Sequence, residues 1–185
     1  GKITVLYSGN MGISHDIDSI LESARILRDE INIEFLLIGS GQKWQEAFDF
    51  QISFGLTNLK VLPFQPESQL PFTMALADIS LVSLDDGAEG LMVPSKMFYY
   101  MASGAAIIGI CRGKNDLSEV IINSKCGLII EPKSPTKLAA EILKLSRDID
   151  NLNKFKANAR KHSESDFSRY VCTDNFANEI LPLIL

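Results

Sequence analysis

The sequence predicts an α/β fold: a doubly wound, six-stranded parallel sheet with extra helices at its carboxyl end. Three observations point there. Six short runs are almost continuously apolar instead of alternating, as strands covered by helices on both faces must be. Stretches with apolar residues at helical spacing fall between those runs in regular alternation. Beyond residue 135 the strand-like runs stop and only helical periodicity continues.

Taken in order, the first strand is expected over residues 3–7, β-branched and apolar, and is broken by Ser8-Gly9-Asn10-Met11-Gly12. A helix follows, with Ser14 as its N-cap and Ile17, Ile20, Leu21, Ala24 and Leu27 on its apolar face. The second strand, over 34–38, ends in Gly39-Ser40-Gly41, and an amphipathic helix over 44–54 leads to a third strand over 59–62. After Pro63-Phe64, a short helix over 67–77 precedes the fourth strand at 79–84. A helix opening at Pro94, a fifth strand over 106–111, a helix over 117–123 and a sixth strand over 127–130 complete the alternation. The terminal helices rest on Leu138, Ile142 and Leu145, then on the polar run 151–161, then on 167–185. Residues 180–185 are all apolar, and they are expected to dock back on the domain, the alternative being a partner. No repeat, low-complexity tract or linker divides residues 1–185, so one domain is expected.

Bulk properties exclude several classes. A formal charge of −5 repels nucleic acid at long range, so any phosphate site must be local. No apolar run approaches the roughly 20 residues of a spanning helix. Cys111, Cys126 and Cys172 are widely spaced in apolar contexts, which suits a reducing compartment better than a disulfide framework or a zinc site. Because Gly1-Lys2 leads straight into a strand, no signal peptide is expected, and the expected location is the cytoplasm.

Residues 77–109, ADISLVSLDDGAEGLMVPSKMFYYMASGAAIIG, carry the most chemistry. The helix that opens at Pro94-Ser95-Lys96 follows a buried strand, so its start would lie at the carboxyl edge of the sheet. There a phosphate could meet aligned backbone amides and the Lys96 ammonium. An ordinary helix with Pro near its start fits the same residues. The Gly9-Asn10-Met11-Gly12 and Gly39-Ser40-Gly41 turns could let backbone approach a phosphate or sugar, or could be plain turns. Neither completes a dinucleotide or phosphate-loop pattern. His15 opens the first helix at the same edge, where a neutral imidazole could bond a polar ligand or simply help cap the helix, whereas His162 reads as solvated surface. Asp85, Asp86 and Glu89 crowd the loop before Pro94, where they could divide acid and base work, hold a cation, or merely be solvated.

These features together resemble the carboxyl-terminal, donor-binding half of a retaining GT-B glycosyltransferase of the group 1, or family 4, kind, a Rossmann-like domain. The resemblance spans nearly the whole chain, through VLYSGNMGISHDIDSILESARIL, FLLIGSG, NLKVLPFQPESQLPFTMALADISLVSL, VPSKMFYYMASGAAIIG and CGLIIEPKSPTKLAAEI. YSGN-x-G-x-x-H-D with VPSK-x-x-x-YMA-x-G is similar to the bacterial branch that builds surface polysaccharides.

The resemblance implies that a nucleoside diphosphate sugar rests its base against Val61-Leu62-Pro63-Phe64 through the Leu62 and Phe64 region. Its diphosphate would meet Gly9, Asn10 and Gly12, with His15 and Gly39 nearby, and the helix start at Val93, Pro94, Ser95 and Lys96. Lys96 would be the catalytic residue, stabilising the leaving diphosphate; no metal cofactor is implied. Two departures stand out. The two glutamates usual in the family fall at Leu91 and Tyr99, so Tyr99 offers only a hydroxyl to the ribose. Where an Arg and a Lys usually follow the first strand, this chain has Met11, Ile13 and His15.

The implied partners are the nucleotide sugar, an amino-terminal acceptor domain outside this chain, and a glycan or lipid-linked acceptor; no nucleic acid is expected. The full-length protein could touch the inner face of the cytoplasmic membrane peripherally, and the isolated domain is expected not to turn over. Two other readings are a degenerate, non-catalytic module that binds nucleotide sugars or pairs with a catalytic chain, and a sugar-nucleotide epimerase of the same architecture.

Overall fold

The structure, a computed structural model, describes residues 1–84 and 95–184. Six strands alternate with helices: β1 (Ile3–Asn10), α1 (Ile17–Ile26), β2 (Ile33–Ser40), α2 (Trp44–Ser53), β3 (Leu59–Pro63), a 3₁₀ turn (Glu67–Gln69) running into α3 (Leu70–Ala75), and β4 (Ile79–Ser83). The second half continues with α4 (Lys96–Ser103), β5 (Ala106–Ile110), α5 (Asp116–Ser124), β6 (Gly127–Ile130), α6 (Pro135–Arg147), α7 (Ile149–Ser165) and α8 (Arg169–Ile184). The strand order is β3-β2-β1-β4-β5-β6 and every pairing is parallel. Since the chain moves outward from β1 to β3 and then returns to β4 on the other side of β1, the topological switch point lies between β1 and β4. Loops there leave the sheet in opposite directions and open a crevice at its carboxyl edge.

Apolar packing covers both faces. Val5, Phe35, Leu37 and Ile108 point to a core shared with Ile20 and Ala24 of α1 and Leu138 and Ile142 of α6. Leu6, Val82 and Ile107 point to the opposite core, with Met97 and Met101 of α4 and Leu117 and Ile121 of α5. All five residues of β4 and of β5 are buried, which is why those strands read as continuous apolar runs. In β5, Gly109 makes room for its neighbours: a Cβ there would sit 2.8 Å from the Cδ1 atoms of both Ile121 and Ile129.

Three local expectations are corrected. The first strand does not break at Ser8, because Gly9 and Asn10 remain in register with Gly39 and Ser40 of β2 and extend the ladder to the end of the glycine-rich segment. Ser14 is not the N-cap of α1. Asp16 is, accepting the Ser19 N–H at 3.1 Å, while a turn between His15 N–H and the Gly12 carbonyl occupies the residues before it. The helix expected over 67–77 begins as a 3₁₀ turn and ends at Ala75. The α5 start is firmer than its sequence suggested, since Asn115 and Ser118 form a reciprocal capping box.

Cys111 and Cys126 are buried and Cys172 is exposed, none of them in a disulfide; among the described residues no cluster could hold a metal ion. No described helix is long and apolar enough to cross a membrane. Phe167 packs at a tilt against Phe98, with ring centroids 4.9 Å apart, and α8 then continues with none of its described side chains buried. Most of the 180–185 tail, whose docking was expected, lies outside the described side chains.

Candidate functional site

The carboxyl edge between β1 and β4 gathers most of the residues singled out from sequence. Gly9 and Gly39 end adjacent strands with φ of 140° and 157°, and a Cβ on Gly39 would fall 1.8 Å from the Gly9 carbonyl oxygen. Only glycine lets the two strand ends approach so closely. Gly9 has a second role, because a Cβ on it would lie 2.9 Å from Lys96 Nζ. The Lys96 side chain therefore crosses from the start of α4 to lie against the backbone of the β1 end.

Lys96 is held there by Tyr7. Its Nζ donates to the Tyr7 hydroxyl at 3.3 Å and sits 4.5 Å from the centroid of the Tyr7 ring. Burial lowers the Lys96 pKa to about 8. Ser95 precedes Lys96, is exposed, and makes no side-chain cap, so it does not occupy the amides of the α4 start. Val93 and Pro94, and the acidic residues Asp85, Asp86 and Glu89, lie outside the described residues.

On the other side of the crevice, His15 Nδ1 is 3.1 Å from the Ser83 carbonyl; a carbonyl only accepts, so this nitrogen carries the proton. The Asp16 N–H donates to the Ser83 hydroxyl at 2.9 Å, and Asp16 Oδ2 accepts the Lys133 N–H at 2.6 Å. The β1–α1 loop is thereby tied to the end of β4 and to the segment before α6. Asn10 and Gly12 complete this loop, with the Asn10 amide 3.2 Å from where a Gly12 Cβ would be. Ile13, His15, Asp16, Asp18, Lys43 and Lys133 border a groove of about 510 Å³ beside it.

Residues at the third strand stand one strand further out. The Leu62 carbonyl accepts from Trp44 Nε1 at 3.1 Å. Phe64 is exposed and shares a hollow of about 210 Å³ with Ser8, Ile38, Gln65, Leu70 and Thr73. That hollow reaches from Phe64 to Ser8 near the end of β1. Tyr99 lies three residues beyond Lys96 on α4 and is 60% exposed, set apart from the buried cluster.

Four contributors escaped the sequence reading. Tyr7 and Tyr100 are fully buried, and the Tyr100 hydroxyl accepts the Ser8 N–H at 2.9 Å and donates to the Ser8 carbonyl at 3.1 Å, pinning α4 to β1. Ser83 anchors His15 and Asp16 as described. Lys43 spends its ammonium inside the protein, donating to the His15 carbonyl at 3.2 Å and the Asp18 carboxylate at 2.8 Å. It braces the loop and does not replace the basic pair absent after β1. Met11, at one of those positions, is a core residue with no exposure.

A doubly wound parallel sheet with a glycine-lined crevice at its switch point defines a Rossmann-like α/β domain, the fold shared with the carboxyl-terminal half of GT-B glycosyltransferases. The family described as Glycosyl transferases group 1 matches residues 1–162, and the chain belongs to it. Over 184 residues it is 26% identical to the protein named "Probable glycosyltransferase WbjE" of Pseudomonas aeruginosa, aligning over 100% of this chain and 45% of that protein. The chain thus spans about half the length of this curated relative. In fold it superposes on Anabaena HepE, solved in complex with UDP and glucose, with a TM-score of 0.79 and 16% identity, covering 97% of this chain and 48% of that one. It also superposes on the solved C-terminal domain of the group 1 glycosyl transferase LpcC of Francisella tularensis, with a TM-score of 0.71 and 19% identity, covering 91% of this chain and 87% of that one.

Proposed function

We propose that the full-length protein is a retaining glycosyltransferase that moves a sugar from a nucleoside diphosphate sugar to a glycan or lipid-linked acceptor, and that this chain supplies the donor site. The observation that carries the proposal is the half-buried Lys96 ammonium, held against Gly9 at the switch point without an anionic partner among the described residues. An ammonium so placed lacks the charge compensation that burial normally requires, and a diphosphate would supply it. As the glycosidic bond breaks, negative charge grows on the leaving diphosphate, and Lys96 with the backbone of Gly9, Asn10 and Gly12 and the start of α4 would stabilise it. Leu62 and Phe64 would lie along the base, and Tyr99 would offer a hydroxyl to the ribose. The scheme uses no metal. A second domain, supplying the acceptor side of the cleft, belongs to the same proposal, as does a cytoplasmic site of action.

Titration calorimetry with UDP and GDP tests the donor site. Weak binding by this chain is expected, and Lys96→Ala weakens it by about 1–3 kcal/mol, the range for a lost charge-assisted hydrogen bond. Equal affinity of parent and variant would remove Lys96 from the site. A second reading, a non-catalytic nucleotide-sugar module, is favoured by Tyr99 and Met11 standing where the family places charged groups. Turnover by the full-length protein with a panel of donors separates the two.

A further inference from the structure

We infer that Tyr7 is a positioning residue for Lys96: its ring face and hydroxyl together hold the ammonium over Gly9 and tie it to the backbone of the glycine-rich turn. This rests on the donor-site reading for its consequence, but the coupling between the two side chains stands on geometry alone.

Tyr7 lies in the apolar run of β1 and has no exposed surface, so packing by itself would be satisfied by Phe. Burying a hydroxyl costs free energy unless it finds partners. The Tyr7 hydroxyl has two, of complementary kind. It donates to the Asn10 carbonyl at 2.7 Å, which leaves a lone pair to accept from Lys96 Nζ at 3.3 Å. The result is a directed chain, Lys96 to Tyr7 to Asn10, in which the turn's carbonyl orients the hydroxyl and the hydroxyl orients the ammonium. The ring adds a second restraint, since Nζ also lies 4.5 Å from its centroid. With Gly9 offering no Cβ, the ammonium is confined between the Tyr7 ring and the strand backbone.

The protonation states suit this role. Among the described residues, the titratable groups facing Tyr7 are Lys96 from α4, Tyr100 from α4 and His15 from the β1–α1 loop, whose ring meets Tyr7 edge-on at 6.3 Å. Burial first, and then the neighbouring Tyr100, push the Tyr7 phenol well above its ordinary value, so it keeps its proton. At neutral pH the pair is therefore ammonium and neutral phenol. Of the three N–H donors on the ammonium, one is directed to Tyr7, and the others can serve a diphosphate.

Tyr7→Phe keeps every ring carbon and removes only the oxygen. The first measurement is the NMR pH titration of the 15N-labelled Lys96 side chain, identified by its loss in Lys96→Ala. Removing an acceptor from the charged form lowers the Lys96 midpoint by roughly one pH unit; an unchanged midpoint overturns the inference. The second is UDP affinity. Tyr7→Phe weakens it roughly 3- to 10-fold, and Lys96→Ala/Tyr7→Phe binds no more weakly than Lys96→Ala alone. Independent, multiplying losses would show that Tyr7 acts elsewhere and would overturn the inference as well. Should Tyr7→Phe fail to fold, 3-fluorotyrosine at position 7 keeps the hydroxyl as a poorer acceptor, and a lowered Lys96 midpoint is again expected, an unmoved one refuting. If the parent binds neither UDP nor GDP, the donor-site reading fails while the NMR titration still decides the coupling.

Discussion

Replacing Lys96 by Met should make the folded domain more stable while removing the ammonium proposed to hold a diphosphate. Burial lowers the Lys96 pKa from 10.5 to about 8. At about 1.4 kcal/mol per pH unit, that gap means the ammonium costs the folded state about 3 kcal/mol at pH 7. Met also forfeits the hydrogen bond to the Tyr7 hydroxyl, which offsets about 1–2 kcal/mol of that difference. Met has nearly the same length and shape without the charge, so Lys96→Met is expected to stabilise the domain by about 1–2 kcal/mol at pH 7. The pH dependence follows from proton counting. Between about 8 and 10.5 the unfolded chain holds a proton that the folded chain has released, so parent stability rises with pH across that window. The variant lacks this rise, and its advantage, complete at pH 7, should fade as pH climbs from 8 to 10.5. Urea denaturation of both proteins at pH 7 and pH 10 reads the effect. A variant less stable than the parent at pH 7, or a gain undiminished at pH 10, would refute the claim that an uncompensated ammonium is stored at this site.

Other substitutions probe the surrounding framework. Gly9→Ala introduces a Cβ 2.9 Å from Lys96 Nζ at a φ of 140°, so it should displace the ammonium and weaken UDP binding at least as much as Lys96→Ala, measured by calorimetry. Gly109→Ala forces a Cβ against two isoleucine methyls at 2.8 Å inside the β5 core; a loss of about 1–3 kcal/mol is expected in urea denaturation. Asp16→Ala removes the cap on α1 and the acceptor for the Lys133 N–H, and should cost about 1–3 kcal/mol by the same measurement.

Much of the fold was legible because its strands are buried on both faces. A run such as ISLVS at β4 has no reason to be apolar throughout unless helices cover it twice, and that single inference leads to the parallel sheet. Boundaries were less legible where pairing overrode local propensity. Gly9 and Asn10 look like a chain break, yet hydrogen bonding to Gly39 and Ser40 keeps them in β1. The same holds for Asp16, whose capping role depends on where His15 and Gly12 form a turn.

The candidate site divides along the same line. Local residue chemistry marked the glycine turns, His15, and Ser95-Lys96, because glycine, imidazole and ammonium at strand ends are recognisable wherever the chain folds back. What the linear order could not show was that residue 7 would touch residue 96, that Lys43 would be consumed by Asp18 and the His15 carbonyl, or that Met11 would be core. Sequence alone determined the layering and the side of the sheet on which chemistry gathers, since both follow from periodicity and element order. Tertiary structure decided that Lys43 is paired with Asp18 while Lys96 has no anionic partner among the described residues, because pairing, burial and protonation are set by contacts between residues far apart in the chain.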